Sequence, residues 1–149
     1  MRARDRAVLA SAAVVVLSAV AACAAAPTPT DPSIADVTYL GLPAEGGDLR
    51  PQVDPESPGV GYARGAEPRT VNVVTVGSSS CPLTPVDYTW DEEDRSITFR
   101  FGRREGTDHY PCTLDVAPST SVVVVPQLPH DAPVTVVTKD GDVVLPVAR

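Results

Sequence analysis

Lysine is almost missing from this chain: Lys139 stands alone against eleven arginines. Positive charge of any kind is in deficit, and the formal net charge is −7. Residues 1–22 hold three Arg and one Asp, a surplus of +2, so the remainder carries −9. Such a balance argues against nucleic-acid binding, which needs clustered Lys and Arg to displace counterions. It argues equally against a polybasic hold on anionic lipid, and it fits a solvated acidic surface. Histidine is scarce, with His109 and His130 alone. No Cys-x-x-Cys pair and no Gly-x-Ser-x-Gly elbow occurs, which removes the commonest redox and hydrolase signatures. Beyond Cys23 no run is apolar enough to span a membrane.

The amino end carries the strongest pattern. Arg2, Arg4 and Arg6 precede an apolar run over residues 7–22 that only Ser11 and Ser18 interrupt. The run is short for a membrane span and ends in small residues, as a secretory signal peptide does. A helix is expected there. The run closes on Val20-Ala21-Ala22-Cys23, which resembles a lipobox, the processing and lipidation signal of bacterial lipoproteins. The resemblance implies cleavage before Cys23 and acylation of its thiol. The mature protein would then sit in the cell membrane by its lipid, on the extracytoplasmic face. Acyl burial contributes about 0.8 kcal/mol per CH₂, so two chains anchor stably. The alternatives are an ordinary signal peptide that happens to contain a cysteine, and an uncleaved anchor helix.

Three segments follow from this reading: a signal peptide (1–22), a lipidated cysteine with a Pro/Thr-rich tether (23–34) and one domain (35–149). The domain is large enough for one modest core and not for two. Residues 24–33 alternate proline with threonine and show no apolar period, so they read as a semi-extended spacer. Residues 36–40 read as a first strand. The Gly- and Pro-rich residues 41–68 read as mostly loop, with a short edge strand near 49–53.

The core should be all-β: a single small antiparallel β-sandwich of immunoglobulin-like shape with one disulfide. Residues 70–76 are β-branched except Asn72 and read as a central strand. Val86, Tyr88 and Trp90 alternate with polar residues, as do Ile97, Phe99 and Phe101, around Asp91-Glu92-Glu93-Asp94. Apolar residues are even-numbered before this turn and odd-numbered after it, so facing residues must sum to an odd number. A turn centred on Glu92-Glu93 pairs Tyr88 with Ile97 and Val86 with Phe99. Residues 113–116 read as a strand, and residues 122–125 as one buried on both faces. Asp140-Gly141 predicts a two-residue hairpin turn that sets Val136 opposite Leu145 and Lys139 opposite Asp142. Pro146 confines the last strand to an edge or ends it.

In an oxidising compartment Cys81 and Cys112 are the two cysteines left, and they are expected to pair. Two free, redox-active thiols are the alternative. The pattern Cys81, Trp90, Tyr110-x-Cys112 is similar to immunoglobulin domains, but the cysteines stand too close in sequence for that inter-sheet bridge.

Chemistry-bearing groups are few. His109 and His130 have Asp108 and Asp131 beside them, yet nothing in the spacing brings the pairs together. Asp91-Glu92-Glu93-Asp94 lacks the ligand spacing and glycine of a calcium loop and reads as a solvated turn. Ser78-Ser79-Ser80 reads as a polar loop bonding its own backbone. Trp90 continues the Val86–Tyr88 face and is expected in the core. No catalytic, cofactor or metal residue is assigned.

The block Gly77-Ser78-Ser79-Ser80-Cys81-Pro82, then Pro111-Cys112-Thr113-Leu114-Asp115 and Ala117-Pro118-Ser119-Thr120-Ser121, resembles small lipoproteins of actinobacteria over residues 70–125. The resemblance implies a secreted, disulfide-stapled β domain and no activity. The expected function is a membrane-anchored, non-enzymatic binding or accessory module of the cell envelope. Its partners would be the membrane through the lipid and an envelope protein or small ligand, with no nucleic acid. The competing expectation is a metal- or His-dependent secreted hydrolase using His109 or His130 with the nearby acids.

Overall fold

The computed structural model describes residues 33–43, 53–103 and 111–147. The expected leader helix, Cys23, most of the tether, and His109 with Asp108 lie outside the described residues, as does the expected edge strand near 49–53 except for Val53, which is in no strand. The strands are β1 (Val37–Leu40), β2 (Gly59–Arg64), β3 (Thr70–Gly77), β4 (Leu83–Asp91), β5 (Ser96–Arg103), β6 (Ala117–Val124), β7 (Val134–Val136) and β8 (Val143–Leu145). No helix occurs among the described residues. The first sheet has the order β1-β6-β3-β2 and the second β4-β5-β7-β8. The two pack as an all-β sandwich, and one disulfide joins Cys81 to Cys112.

The sandwich departs from the antiparallel expectation at one place. β5 and β7 run parallel, through Ser96↔Thr135 and Ile97↔Val136. The long connection that holds β6 lets the chain return in the same direction, which a short hairpin cannot do.

β3 lies inside the first sheet, as its β-branched sequence requires. Val71 and Val73 point to the second sheet and join a core of Tyr62, Ile97, Phe99, Val123, Val125, Leu128, Val134, Val136 and Leu145. Val74 and Val76 point the other way and are buried too, so β3 is the strand covered on both faces. Residues 122–125 do not meet that expectation, because Val124 is exposed. Towards β1 and β4 the interior changes character. Thr38, Thr75, Thr84, Ser119 and Ser121 bring hydroxyls to it, and Thr75 Oγ1 donates to the Leu83 carbonyl at 2.8 Å.

Both hairpins keep the expected parity but sit two residues from the expected register. Tyr88 faces Phe99 and Trp90 faces Ile97. The turn falls on residues 92–95 because Asp91 Oδ1 accepts from the N–H groups of Glu93 (3.0 Å) and Asp94 (3.1 Å), while Arg95 takes a φ of 47°. A bulge between Pro85 and Asp87 then shifts the ladder. In the last hairpin Val134 faces Leu145 and Val136 faces Val143. Here Thr138 captures the turn. Its Oγ1 accepts from the Asp140 N–H at 3.2 Å and donates to the Gly141 carbonyl at 2.6 Å. Gly141, with φ +124°, therefore closes the turn instead of standing at its centre, and Lys139 lies 4.0 Å from Asp140 rather than opposite Asp142. β8 is an edge strand that ends before Pro146, as expected.

Three segments differ from the sequence expectation. Residues 59–64 were expected as loop and form β2, which its pairing with β3 holds despite two glycines. Residues 117–121 form the first half of β6, with Pro118 opposite Val76. Residues 113–116 are not a strand, and Leu114 is fully exposed. The adjacent staple explains that loop, since Cys112 is fixed to Cys81 and Thr113 to the serines beside it.

Candidate functional site

β7 is only three residues long, whereas β5 is eight. The consequence is a gap in the second sheet. The Thr135 N–H donates to the Arg95 carbonyl at 3.1 Å, and the Val137 N–H donates to the Ile97 carbonyl at 2.9 Å. There the chain turns away through Thr138–Gly141 to begin β8. β5 continues to Arg103 with β4 on one side and, among the described residues, no strand on the other.

Across the gap stands β2, the edge of the first sheet. Between them lies a cleft of about 1020 Å³. Its apolar lining includes Val60, Tyr62, Phe99, Phe101, Val137 and Val143, and the Cys81–Cys112 staple and Pro82 also border it. Tyr62 and Phe99 stack with ring centroids 5.7 Å apart, and Tyr88 tilts against the same Phe99 at 6.2 Å. Arg103, Lys139 and Asp140 add charge to the lining. Burial pushes the Tyr62 phenol up to about 12, so it stays a neutral hydroxyl at any physiological pH. A volume of this size falls in the range of pockets that take a ligand, and an apolar lining with a few polar groups is the usual composition.

The staple end is built from two loops. Cys81 follows β3 and Cys112 precedes β6, with Cα atoms 5.4 Å apart. The bridge joins loops at one end of the sandwich and is not an inter-sheet bridge between facing strands. Ser78, Ser79 and Ser80 bond outward to the second loop. The hydroxyls of Ser78 and Ser80 lie 3.0 and 3.1 Å from Thr113 Oγ1, and the Thr113 N–H donates to Ser80 Oγ at 2.9 Å. Asp115 accepts from the Ser79 N–H at 3.2 Å and from the Thr113 hydroxyl. Hydrogen bonds from the Ser79 side chain, then Thr113, hold the Asp115 carboxyl below its ordinary value. The serines thus tie two loops together, and among the described residues no histidine bonds to them.

The other sequence candidates are scattered. His130 and Asp131 are exposed in the β6–β7 loop. His109 and Asp108 lie outside the described residues. Asp91–Asp94 is the solvated turn described above. Among the described residues no group of three or more His, Cys, Asp or Glu could hold a metal ion. Trp90 is half-buried against the core, and its Nε1 donates to Glu92 Oε2 at 2.7 Å.

The tether meets the sandwich at β4. Ser33 Oγ and the Ile34 N–H both donate to the Pro85 carbonyl, at 3.2 and 3.1 Å, on the edge strand β4. Ile34 and Ala35 pack against the core.

No protein-family model, curated protein or solved structure matches the chain. The cleft was not legible beforehand. Its signal was the mismatch between an eight-residue strand and a three-residue neighbour, which appears only once the parallel pairing is known.

Proposed function

We propose that this protein is a lipid-anchored, extracytoplasmic binding module of the cell envelope, without enzymatic activity, that takes its ligand in the cleft between the sheets. The observation that carries the binding reading is the cleft: a large apolar opening in a domain whose adjoining end is covalently stapled. Two further features support the address. The leader and the Val20-Ala21-Ala22-Cys23 motif fit export and acylation. A bonded Cys81–Cys112 pair fits a non-reducing compartment.

Two measurements test this reading. Cells fed an alkyne-bearing palmitate should incorporate it into the protein, and Cys23→Ser should abolish the label and release the protein from the membrane. A photo-crosslinking amino acid at position 137 should trap an envelope component that the same probe at exposed Glu93 does not. An unlabelled protein refutes the anchor, and no adduct specific to position 137 refutes the binding site.

A further inference from the structure

We infer that the occupant of the cleft is an extended peptide segment of a partner protein, which adds as a further strand to the part of β5 that has no neighbour beyond β7 among the described residues. This rests on the proposed binding function and names the ligand of the same site.

The backbone supplies the first argument. The Arg95 and Ile97 carbonyls point to the β7 side, where they accept from Thr135 and Val137. Peptide groups of alternate residues along a strand face the same way, so those of Phe99, Phe101 and Arg103 point to that side as well. Among the described residues no strand pairs with them there. Unmatched strand groups beside an apolar cleft are a template for main-chain hydrogen bonding, the mode by which extended peptides join a sheet.

The two outer edges of the second sheet, β4 and β8, supply the second argument. β4 carries Pro85 and a bulge, and β8 runs into Pro146. These are ordinary ways of blunting an edge. The open stretch Thr98–Arg103 has neither proline nor a bulge of its own. β7 pairs with the start of β5 on the same side, so a strand added along Thr98–Arg103 would continue an existing track of the sheet.

Side chains set the chemistry of the guest. Phe99 and Phe101 point into the cleft opposite Tyr62 and Val60, so every second residue of the guest meets an apolar wall. Five residues, from Phe99 to Arg103, span about 16 Å at ~3.3 Å per residue, the length of an average strand. Arg103 stands at the far end, a cation on a strongly acidic protein. The guest should therefore be a short β-forming segment with alternating apolar residues and an acidic residue near Arg103.

The test uses the full chain in detergent and dodecapeptides selected from a random phage-displayed library. In the free protein the amides of Phe99 and Phe101 should exchange with solvent at least tenfold faster than those of Thr98 and Arg100, which face β4. A selected peptide should slow both at least tenfold. Val137→Trp, at a partly exposed position on the cleft wall, should weaken that peptide at least tenfold with an unchanged unfolding temperature. Slow exchange of Phe99 and Phe101 before any peptide is added overturns the proposal, as does a library that yields no peptide protecting them. Protection by a second copy of this chain overturns the assignment to a partner. A position-137 adduct that is lipid overturns the peptide while leaving the binding module standing.

Discussion

Arg64 on β2 donates its Nε to the carbonyl of Pro146, just past β8, and so joins the edge of one sheet to the edge of the other. The rest of the guanidinium is used in the same way. Its two terminal nitrogens donate to the carbonyls of Pro129 at 2.7 Å and Ala132 at 2.6 Å. The residue is 5% exposed, and no carboxylate pairs with it among the described residues. Burial lowers its pKa from the ordinary value, though a guanidinium stays charged in a protein. Three carbonyl dipoles replace the water it has lost.

Removal of this clamp should be costly. Arg64→Met keeps much of the apolar stem and deletes the three donors. A loss of about 2–4 kcal/mol is expected, since hydrogen bonds to charged groups contribute ~1.5–3 kcal/mol each and solvent recovers part of it. Arg64→Lys, with one point charge and no fork, should fall between. Urea unfolding of the three proteins decides this, and equal midpoints would deny the clamp any role.

Reduction of the staple should weaken the domain by about 3–4 kcal/mol, the chain-entropy value for the loop it closes. The cysteines are 31 residues apart. Unfolding with and without a phosphine reductant measures this. The hydroxyl tie from the serines to Thr113 stays in place after reduction, so the two loops should remain neighbours at low denaturant.

Thr84 offers the opposite sign. Its Oγ1 is buried and has no hydrogen-bond partner among the described residues. A buried hydroxyl left unpaired costs roughly 1–3 kcal/mol, and Val has nearly the same shape. Thr84→Val should raise stability by about 1 kcal/mol, read as a higher urea midpoint with the same slope. A fall would mean that a solvent molecule already satisfies the group.

Tyr62 gives the domain an alkaline limit. Its folded pKa, about 12, lies above the ordinary value of 10.0. An acid whose folded pKa is raised contributes fully below the unfolded pKa and loses that contribution as pH rises through the folded one. Stability should therefore be flat in this respect below pH 10.0 and fall between 10.0 and about 12. Tyr62→Phe should flatten that fall. An absorbance titration at ~295 nm should show one phenol ionising well after the others.

Much of this architecture was legible in the sequence, for identifiable reasons. Alternation placed Tyr88, Trp90, Ile97 and Phe99 on one side of their hairpin, because a strand has a side-chain period of two. Parity is insensitive to a shift of two residues, so it fixed the faces and not the pairs. The pairs were decided by local polar groups, Asp91 in one turn and Thr138 in the other, which outcompeted the centred arrangements. β2 was obscured because Gly59 and Gly61 lower strand propensity, and neighbouring β3 supplies what they lack. The Cys81–Cys112 bridge followed from counting cysteines once an oxidising compartment was assumed. The cleft depends on a parallel pairing between residues almost forty positions apart, and no local pattern encodes that.

Thr38 of β1 shares a hydroxyl contact with Ser121, which comes 83 residues later in the chain. The first strand to be synthesised thus has its sheet neighbour in the sixth. A chain leaving any narrow conduit amino end first must keep that segment unpartnered until β6 has followed it out. Closure of so long a loop is slow. The sandwich can lock only after nearly all of it has emerged, which keeps it threadable during passage and makes its completion a late event.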